Sequence, residues 1–414
     1  MKFISFLSMK FKVVRVLYMY AGIIFLFSSG ISAVQKRIVV IYFIDGMELS
    51  TAKVAAENGA VNLKMMFDSG VVAEQTYTTS PAPTLELSNK SKPWGGTTSC
   101  NVAAHTGCHI FESTDMDDIF LASRDKGIKS VFSGGSNAYN VFKNADFYYS
   151  GTRSDAEVVQ RGIDHFEKDN ARLFRLHAQR IRDSWKGPKD RTDPNSKYIR
   201  SVINADNALG KFIKLLKQTG VWDSTFLMIA ADHGMGNTSA SNHPANVLSS
   251  WSPFISFYGP GIKRGKTIPY AEIPDLAILT VHLLGLRPLK GHTDPKVTVS
   301  PKGTTGTLLL NIFEDGSKSF THPRYIEKYL KSTGMKPSRA YKDYHNGIIP
   351  FLRATTKISC PITFSKTGQT QIRPGYSLRI LFNKGYPAVI KNSSEYNNVI
   401  WSLNGKRIIL KNNF

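Results

Sequence analysis

Apolar runs alternate with amphipathic segments along most of the chain. The run Lys36–Gly46 is apolar through its centre and ends in an acid and a glycine, as in a strand buried on both faces. The run Thr225–Ala231 is similar and leads into Asp232. Further strands are predicted at 71–77, 128–132, 173–177 and 253–258, and helices around 55–69, 156–168, 198–219 and 274–284. This alternation predicts an α/β fold with a mostly parallel central sheet flanked by helices.

The pattern changes near residue 350. Residues 355–414 lose helical periodicity and gain Thr, Ser, Asn, Ile and turn signals such as Asn404-Gly405. We therefore predict one large α/β domain over residues 34–350 and a small β-rich C-terminal segment over residues 355–414.

The N-terminus has the pattern of an export signal. Basic residues precede the apolar run Val16–Phe27, and small residues follow as far as Ala33. A secretory signal has this order, and the run is shorter than the ~20 residues that a membrane span needs. We predict a signal peptide over residues 1–33, cleaved after Gly30 or Ala33, and a secreted or periplasmic protein. The alternative is an uncleaved membrane anchor.

Charge and cysteine content limit the function classes. The 414-residue chain carries a formal net charge of +22, which suits peripheral attachment to membranes or anionic polymers, or a solvated basic surface. No nucleic-acid-binding motif occurs and the basic residues are scattered, so nucleic acid is not a predicted partner. Three cysteines, Cys100, Cys108 and Cys360, allow at most one disulfide. The oligomeric state is not indicated by the sequence.

Chemistry-bearing residues follow the two strongest strand predictions. Asp45 ends the first strand, and Asp232 and His233 end the later one. Because ligands bind at the carboxyl ends of parallel strands, these side chains are expected to meet at one edge of the sheet. Carboxylate and imidazole ligands suit zinc, manganese, magnesium or calcium. We predict a divalent-metal site there, with zinc as the first candidate.

Three segments resemble the alkaline phosphatase superfamily. They are Ile41–Gly46, the strand that leads into Asp232-His233-Gly234-Met235-Gly236, and Gly259–Lys263. The nearest groups are nucleotide pyrophosphatase/phosphodiesterase-like and sulfatase-like enzymes, and the resemblance covers roughly residues 37–315. It implies an alkaline phosphatase-like catalytic domain in which a sheet-edge Asp, a Thr or Ser nucleophile and an Asp-His pair surround one metal.

The resemblance also implies a nucleophile at the start of a helix, where free N–H groups face an oxyanion. The segment Gly95–Gly107 fits best. Family members place the nucleophile three residues before an asparagine, which selects Thr98, before Asn101. Counting back from Gly107 selects Thr97 instead, and Thr84 is a third candidate. Thr98 is then both metal ligand and nucleophile, and Asn101 a hydrogen-bond donor to the substrate.

The chain departs from the family where two-metal members carry Asp-x-x-Gly-His-x-x-Gly-Pro. Arg180 and Ser184 stand at the positions of that aspartate and histidine. Arginine has no acceptor atom and cannot be a ligand, so one ion is favoured over two, with Arg180 or Arg182 replacing the second charge. A different second site is an alternative, built from nearby His177, Asp183 and Asp193.

Two loop histidines complete the predicted site. His243 occupies a position where relatives contact substrate or metal, and His292 lies where two-metal relatives place their last histidine ligand. We predict His243 as a catalytic residue and His292 as a metal ligand. With one ion, either histidine would act as a general acid.

These features predict a secreted metal-dependent hydrolase that cleaves phosphate mono- or diesters of small molecules, glycans or lipid-linked groups through a threonine nucleophile. A sulfatase-like sulfuric ester hydrolase is the nearest alternative, although no arginine follows Cys100 as the sulfatase signature requires. The same residues would also suit a transferase of a phosphoryl-linked group, or a non-catalytic protein that keeps the fold and binds an anionic glycan.

Overall fold

The computed structural model describes residues 37–79, 97–108, 116–136, 143–151, 154–236, 243, 247–290, 304, 306 and 308–314, and strand segments between 363 and 411. An eight-stranded sheet dominates the described part. Its strands are β1 Ile38–Ile44, β2 Val71–Tyr77, β3 Ser130–Gly134, β4 Phe147–Tyr149, β5 Leu173–Ala178, β6 Thr225–Ala230, β7 Ile255–Tyr258 and β8 Lys266–Glu272. Their order is β4-β3-β5-β1-β6-β7-β2-β8, and β7 is antiparallel to its neighbours while the other pairs are parallel. The predicted α/β fold is confirmed.

Helices cover both faces of this sheet. They are α1 Leu49–Glu57, α2 Val61–Ser69, α3 Thr97–Thr106, α4 Ile119–Asp125, α5 Asp155–Asp169, α6 Lys197–Gln218, α7 Leu248–Trp251 and α8 Ile273–Leu284. On one face α5 packs on α6, and α1 and α2 pack together and on α6. On the other, α3 and α4 pack on α8. In the described segments, no helix is both long and apolar enough to cross a bilayer.

Strand β1 lies between β5 and β6 and is buried along its whole length. Its side chains alternate between the two hydrophobic cores: Val39, Ile41 and Phe43 point to one face and Val40 and Tyr42 to the other. A strand covered on both sides must be apolar at every position, which explains the continuous run in the sequence. The first acidic residue therefore comes where the strand leaves the sheet.

Asp206, a buried acid that follows the segment with Arg180 and Ser184 in the sequence, has a structural role. Asp206 of α6 accepts hydrogen bonds from the backbone N–H groups of Asn62 and Leu63 at 3.0 and 2.8 Å. These groups open α2, where a helix leaves its first N–H groups without partners in its own backbone. Asp206 thus holds α2 against α6.

One predicted helical segment is divided in the structure, and strands β4 and β8 and helices α4 and α7 were not predicted. The helical pattern around 55–69 is two helices, separated by residues 58–60, which include Gly59 at φ +115°. Strand β8 was not predicted, because its residues alternate in exposure and include Pro269. It lies at the sheet edge, where a proline costs no ladder hydrogen bond.

Near the C-terminus the described residues are all in strands. A four-stranded sheet has the order β13-β14-β10-β9, and β11 pairs with β12. The bounds are β9 Thr363–Phe364, β10 Gln369–Gln371, β11 Leu378–Phe382, β12 Tyr386–Ile390, β13 Asn398–Leu403 and β14 Lys406–Lys411. The domain limits 34–350 and 355–414 stay predictions, and the predicted signal peptide lies outside the described residues.

Candidate metal centre

The two acid-terminated strands end side by side. Strands β1 and β6 are parallel neighbours with Phe43 paired to Ala230, so the residues that follow them emerge at the same edge of the sheet. Asp45, Asp232 and His233 are all fully buried at this edge. Parallel pairing of adjacent strands thus brings together side chains that are almost 190 residues apart in the chain.

Glycines allow the two chain segments to approach closely. Gly46 has φ +73°, and a Cβ there would lie 2.6 Å from the Met235 sulfur. A Cβ on Gly234 would lie 1.9 Å from the carbonyl oxygen of Ser249. Side chains at either position would push the two segments apart, so the glycines after Asp45 and His233 are required by the packing.

The acidic and imidazole groups form a cluster of possible ligands. One ligand atom from each of Asp45, Asp232 and His233 lies within 4.8 Å of the others. His233 Nε2 is 3.7 Å from Asp45 Oδ1 and 3.6 Å from Asp232 Oδ2. Two ligands about 2.0–2.2 Å from one ion lie at most about 4.4 Å apart, so these two spacings fit a shared cation.

Asp45 independently indicates that this cluster is suited to bind a cation. Its carboxylate is fully buried, and within the described residues neither oxygen has a hydrogen-bond partner. Burying an unpartnered carboxylate is costly, and buried charges are normally paired or bound to metals. A divalent cation would satisfy both oxygens, so the donor set fits the predicted metal.

Asp232 is held in a fixed orientation. Its Oδ1 accepts from the backbone N–H of His233 at 3.1 Å and of Gly46 at 3.4 Å. Its Oδ2 accepts from the amide Nδ2 of Asn101 at 3.2 Å and faces the cluster. The bonds to Oδ1 link both strand ends, and the bond to Oδ2 brings helix α3 to the same place.

The protonation of His233 is set by its neighbours. Its Nδ1 lies 2.9 Å from the carbonyl oxygen of Gly234. A carbonyl only accepts, so Nδ1 carries the proton and Nε2 presents its lone pair to the two carboxylates. Burial lowers the pKa of His233, which keeps the ring neutral. Burial, and next the Asp232 charge, raise the pKa of Asp45 to about 8.

Strand β5 adds two polar residues to the cluster. Arg175 and His177 lie two apart on this strand, so their side chains share one face, and both are fully buried. His177 Nε2 is 3.7 Å from Asp45 Oδ2 and 4.0 Å from Asp232 Oδ2. Arg175 donates to Asn101 Oδ1, and its guanidinium carbon lies 3.5 Å from the ring centroid of Phe43.

The sequence interpretation missed the part that Arg175 plays and considered His177 only for a second site. The sequence did contain a signal, because polar residues at alternate positions of a strand point to the same face. Strand β5 has two polar side chains on one face although it lies between two other strands. A polar pair at such positions marks either a satisfied core network or a site.

A separate ion pair fixes the loop that follows His233. Glu48 Oε1 accepts from the backbone N–H of Met235 at 3.0 Å and from Arg191 Nε at 2.7 Å. Arg191 also donates to the carbonyl oxygens of Met235 and Gly236, at 2.6 and 2.7 Å. Glu48 lies three residues after Asp45, so this pair joins the turn after β1 to the loop after β6.

The predicted catalytic residues lie as follows. Thr98 is the second residue of α3 and is half-buried, and the helix begins at Thr97. Asn101 is fully buried one turn later and contacts Asp232. His243 is half-buried, with its ring centroid 3.8 Å from that of His233. The predicted metal ligand His292 lies outside the described residues.

Thr84, the third nucleophile candidate, also lies outside the described residues, and the side chain of Thr97 is not described.

Among the residues considered for a second charge, Arg182 and Asp183 act on the cluster through their charges, although burial remains the main cause of the raised pKa of Asp45. Arg180 and Asp183 pair with each other at 3.3 Å, with exposed side chains. Asp193 Oδ1 accepts from the backbone N–H of Asn195 in an exposed turn. These contacts are local, so neither Asp183 nor Asp193 is brought to His177.

The chain was compared with known proteins. A family model described as Sulfatase matches residues 123–261, a segment that includes β3, β5, β6 and the Asp232-His233 pair but begins after Asp45 and α3. No curated protein matches the chain.

Solved structures with a similar fold include three from bacteria. A protein in the alkaline phosphatase superfamily from Vibrio parahaemolyticus is 15% identical, with 61% of this chain and 67% of that chain covered and a TM-score of 0.45. The lipoteichoic acid synthase LtaP from Listeria monocytogenes is 12% identical, with 75% and 92% covered and a TM-score of 0.45. The phosphonate monoester hydrolase of Agrobacterium radiobacter is 12% identical, with 72% and 83% covered and a TM-score of 0.49. Identities this low, with TM-scores below 0.5, carry no information on activity.

The family match includes the Asp-His pair on which the predicted resemblance rests. Residues 123–261 are therefore similar to the Sulfatase family, and the predicted resemblance of the chain to the alkaline phosphatase superfamily is confirmed.

Proposed function

We propose that the protein is a metal-dependent hydrolase that cleaves phosphate mono- or diesters with Thr98 as the nucleophile. The observation that carries the proposal is the hydrogen bond from Asn101 to Asp232. Residues three apart share one face of a helix, so a bond at Asn101 turns the Thr98 side of α3 toward the buried acids. The start of the helix then faces the cluster of Asp45, Asp232 and His233.

The proposed cofactor is one divalent cation, with zinc the first candidate and manganese, magnesium or calcium the others. Asp45, Asp232 and His233 would hold it, together with Thr98. Such an ion lowers the pKa of a hydroxyl bound to it and polarises an ester oxygen. The unpartnered oxygens of Asp45 support this assignment.

In the proposed reaction the Thr98 oxygen forms a bond to phosphorus and the bond from phosphorus to the leaving oxygen breaks. His243 donates a proton to that oxygen, a role that its place beside His233 allows. The free N–H groups at the start of α3 stabilise the negative charge on the phosphoryl oxygens. Water then attacks phosphorus, releases phosphate or its monoester and restores the threonine.

Sulfate esters are the second candidate substrates, because the matching family model is that of sulfatases. A sulfatase-type nucleophile made by conversion of Cys100 is not proposed, because residues 101–104 that follow it contain no arginine, which the sulfatase signature requires. Thr98 is half-buried and lies nearer the start of the helix. For phosphate and for sulfate esters, we propose that Thr98 attacks the phosphorus or the sulfur atom.

The proposed location is secreted or periplasmic, and the proposed substrates are anionic esters of small molecules, glycans or lipid-linked groups. The order of basic, apolar and small residues at 1–33 supports export, and a net charge of +22 favours anionic partners. N-terminal sequencing of the mature protein tests the signal peptide: a first residue at position 31 or 34 supports cleavage, and an intact Met1 contradicts it.

Thr98→Ala tests the function, with Thr97→Ala as the neighbouring control. Both variants and the native protein are assayed on an aryl phosphate, an aryl phosphodiester and an aryl sulfate. We expect the native protein to cleave a phosphate ester, and T98A to lose at least about 1000-fold in kcat/KM, since a lost nucleophile leaves only residual catalysis. T97A should retain activity within about threefold.

Mass spectrometry of the acid-quenched reaction should find phosphate on the peptide that contains Thr98. Loss of activity in T97A alone would move the nucleophile by one residue. Cleavage of the aryl sulfate alone would favour the sulfatase candidate. A native protein that binds anionic glycans, holds no metal and cleaves none of the esters would instead be a binding protein.

A further inference from the structure

We propose that His177 of strand β5 is a fifth protein ligand of the cation, through Nε2. The proposal rests on the proposed metal-dependent function, and goes beyond the ligand set Asp45, Asp232, His233 and Thr98. It assigns a role to a strand that would otherwise contribute only to the core.

The first argument is position. His177 Nε2 lies 3.7 Å from Asp45 Oδ2 and 4.0 Å from Asp232 Oδ2. His233 Nε2 lies 3.7 Å from the other oxygen of Asp45 and 3.6 Å from the same oxygen of Asp232. The two imidazoles thus face the same pair of carboxylates. Each of these four distances is shorter than the roughly 4.4 Å that two ligands of one ion can span, so each imidazole lies within range of an ion held by either carboxylate.

The second argument is the orientation of Asn101. Arg175 can only donate hydrogen bonds, so the Asn101 atom that meets it is the amide oxygen. The amide nitrogen of Asn101 then points to Asp232 Oδ2, where it finds an acceptor. Both ends of the amide therefore have matched partners in only one of its two orientations.

The orientation of Asn101 determines the tautomer of His177. His177 Nδ1 is 3.1 Å from Asn101 Oδ1 and 3.4 Å from Arg175 Nη2, which already donates to that same oxygen. The nearer atom is an acceptor, and it would repel an unprotonated Nδ1. Nδ1 therefore carries the proton and donates it to the amide oxygen. Nε2 is left with a lone pair, aimed at Asp45 and Asp232. Metal-bound histidines generally donate their other N–H to a carbonyl or carboxylate oxygen in this way.

The same arrangement holds His233, whose Nδ1 donates to the Gly234 carbonyl. Two imidazole lone pairs and two carboxylates consequently converge in a fully buried space. Four electron-rich groups repel one another unless a positive charge lies between them. The unpartnered oxygens of Asp45 fit the same conclusion.

Two substitutions separate binding of the ion from packing. In His177→Asn the side-chain amide nitrogen replaces Nδ1 and can still donate to Asn101, but nothing replaces Nε2. In His177→Gln the amide oxygen reaches the position of Nε2 and offers a weaker ligand. His165→Gln is the matched control: His165 lies on α5 between Tyr149 and Asp169, away from the cluster.

The measurements are the zinc Kd by competition with a chelator and the number of imidazoles around zinc by X-ray absorption. We expect the Kd of H177N to rise by more than about 100-fold, the upper end of what losing a supporting residue costs. H177Q should lose less, and H165Q should remain within about threefold. One imidazole fewer should surround zinc in H177N than in the native protein.

The outcomes distinguish this proposal from the proposed function. Metal-free circular dichroism and thermal melting of each variant identify any that fails to fold, and H177Q then carries the comparison. Native protein that binds one zinc, with an unchanged Kd and imidazole count in folded H177N, overturns the role of His177 and leaves the function standing. Native protein that binds no zinc, manganese, magnesium or calcium overturns both.

Discussion

Replacing Asp45 by asparagine should stabilise the protein when metal is absent. Burial and the charge of Asp232 raise the pKa of Asp45 from 3.8 to about 8. A carboxyl whose pKa is higher in the folded state than in the unfolded state favours folding only while it is protonated. The contribution of Asp45 to the free energy of unfolding is complete below pH 4 and is lost as the pH rises to 8.

The magnitude follows from the size of the shift. Each pK unit corresponds to about 1.4 kcal/mol, so a shift of about four units costs the metal-free native protein about 5 kcal/mol at pH 8. Asp45→Asn removes this cost, since an amide stays neutral at every pH. The free energy of unfolding of D45N should therefore exceed that of the native protein by up to about 5 kcal/mol at pH 8. The difference should vanish near pH 4.

Metal should act in the opposite direction. Zinc at about 1000 times its Kd stabilises a protein by about 4 kcal/mol if it binds only the folded state. The native protein should show this gain, and D45N should lose most of it because one carboxylate ligand is gone. Asp68→Asn, at an exposed aspartate paired with Lys64, is the control that changes charge away from the cluster.

The assay is urea unfolding followed by tryptophan fluorescence, with EDTA or with buffered zinc, at intervals between pH 4 and 8. D68N should follow the native protein in both series. A metal-free difference between D45N and the native protein that does not change with pH would refute the buried-charge reasoning. Equal stabilisation of both proteins by zinc would refute the assignment of Asp45 as a ligand.

Two further substitutions test the stability of the protein. Arg191→Met leaves the Glu48 carboxylate buried without its charge partner, so we expect the free energy of unfolding in urea to fall by about 3 kcal/mol. The control R180M removes the exposed pair with Asp183 and should cost at most about 0.5 kcal/mol, and equal losses would contradict this reasoning. Burial raises the pKa of Asp118 to about 6. The free energy of unfolding of D118N relative to the native protein should therefore rise by about 2 kcal/mol from pH 4 to 7, and parallel pH curves would contradict this.

The elements that are buried on both faces were predictable from the sequence. β1 and β6 are continuous apolar runs that end in acids, so both their existence and their chemistry could be read from the residues. β2 was predicted with the bounds that the structure has. Edge strand β8 was not, because an edge strand needs only one buried face and tolerates a proline.

The ligand cluster was only partly predictable. Asp45, Asp232 and His233 each follow a strand, and parallel strands place such residues at one edge of the sheet, where the pairing of β1 with β6 brings them together. The role of His177 depends on β5 lying next to β1 and on the direction of one side chain, neither of which periodicity specifies. The site was therefore predicted where it depends on strand ends, and missed where it depends on strand order.

Charge balance explains why the chain lacks the ligands of a second metal. One divalent cation neutralises the carboxylates of Asp45 and Asp232, and His177 and His233 add no charge when neutral. A second cation nearby would require further acids. Strand β5 instead carries Arg175, a fully buried cation that contacts Asn101 beside Asp232. Arg175 therefore adds positive charge where a second ion would need negative charge. From this balance we expect metal analysis of the purified protein to find one equivalent, and two equivalents would contradict the role inferred for β5.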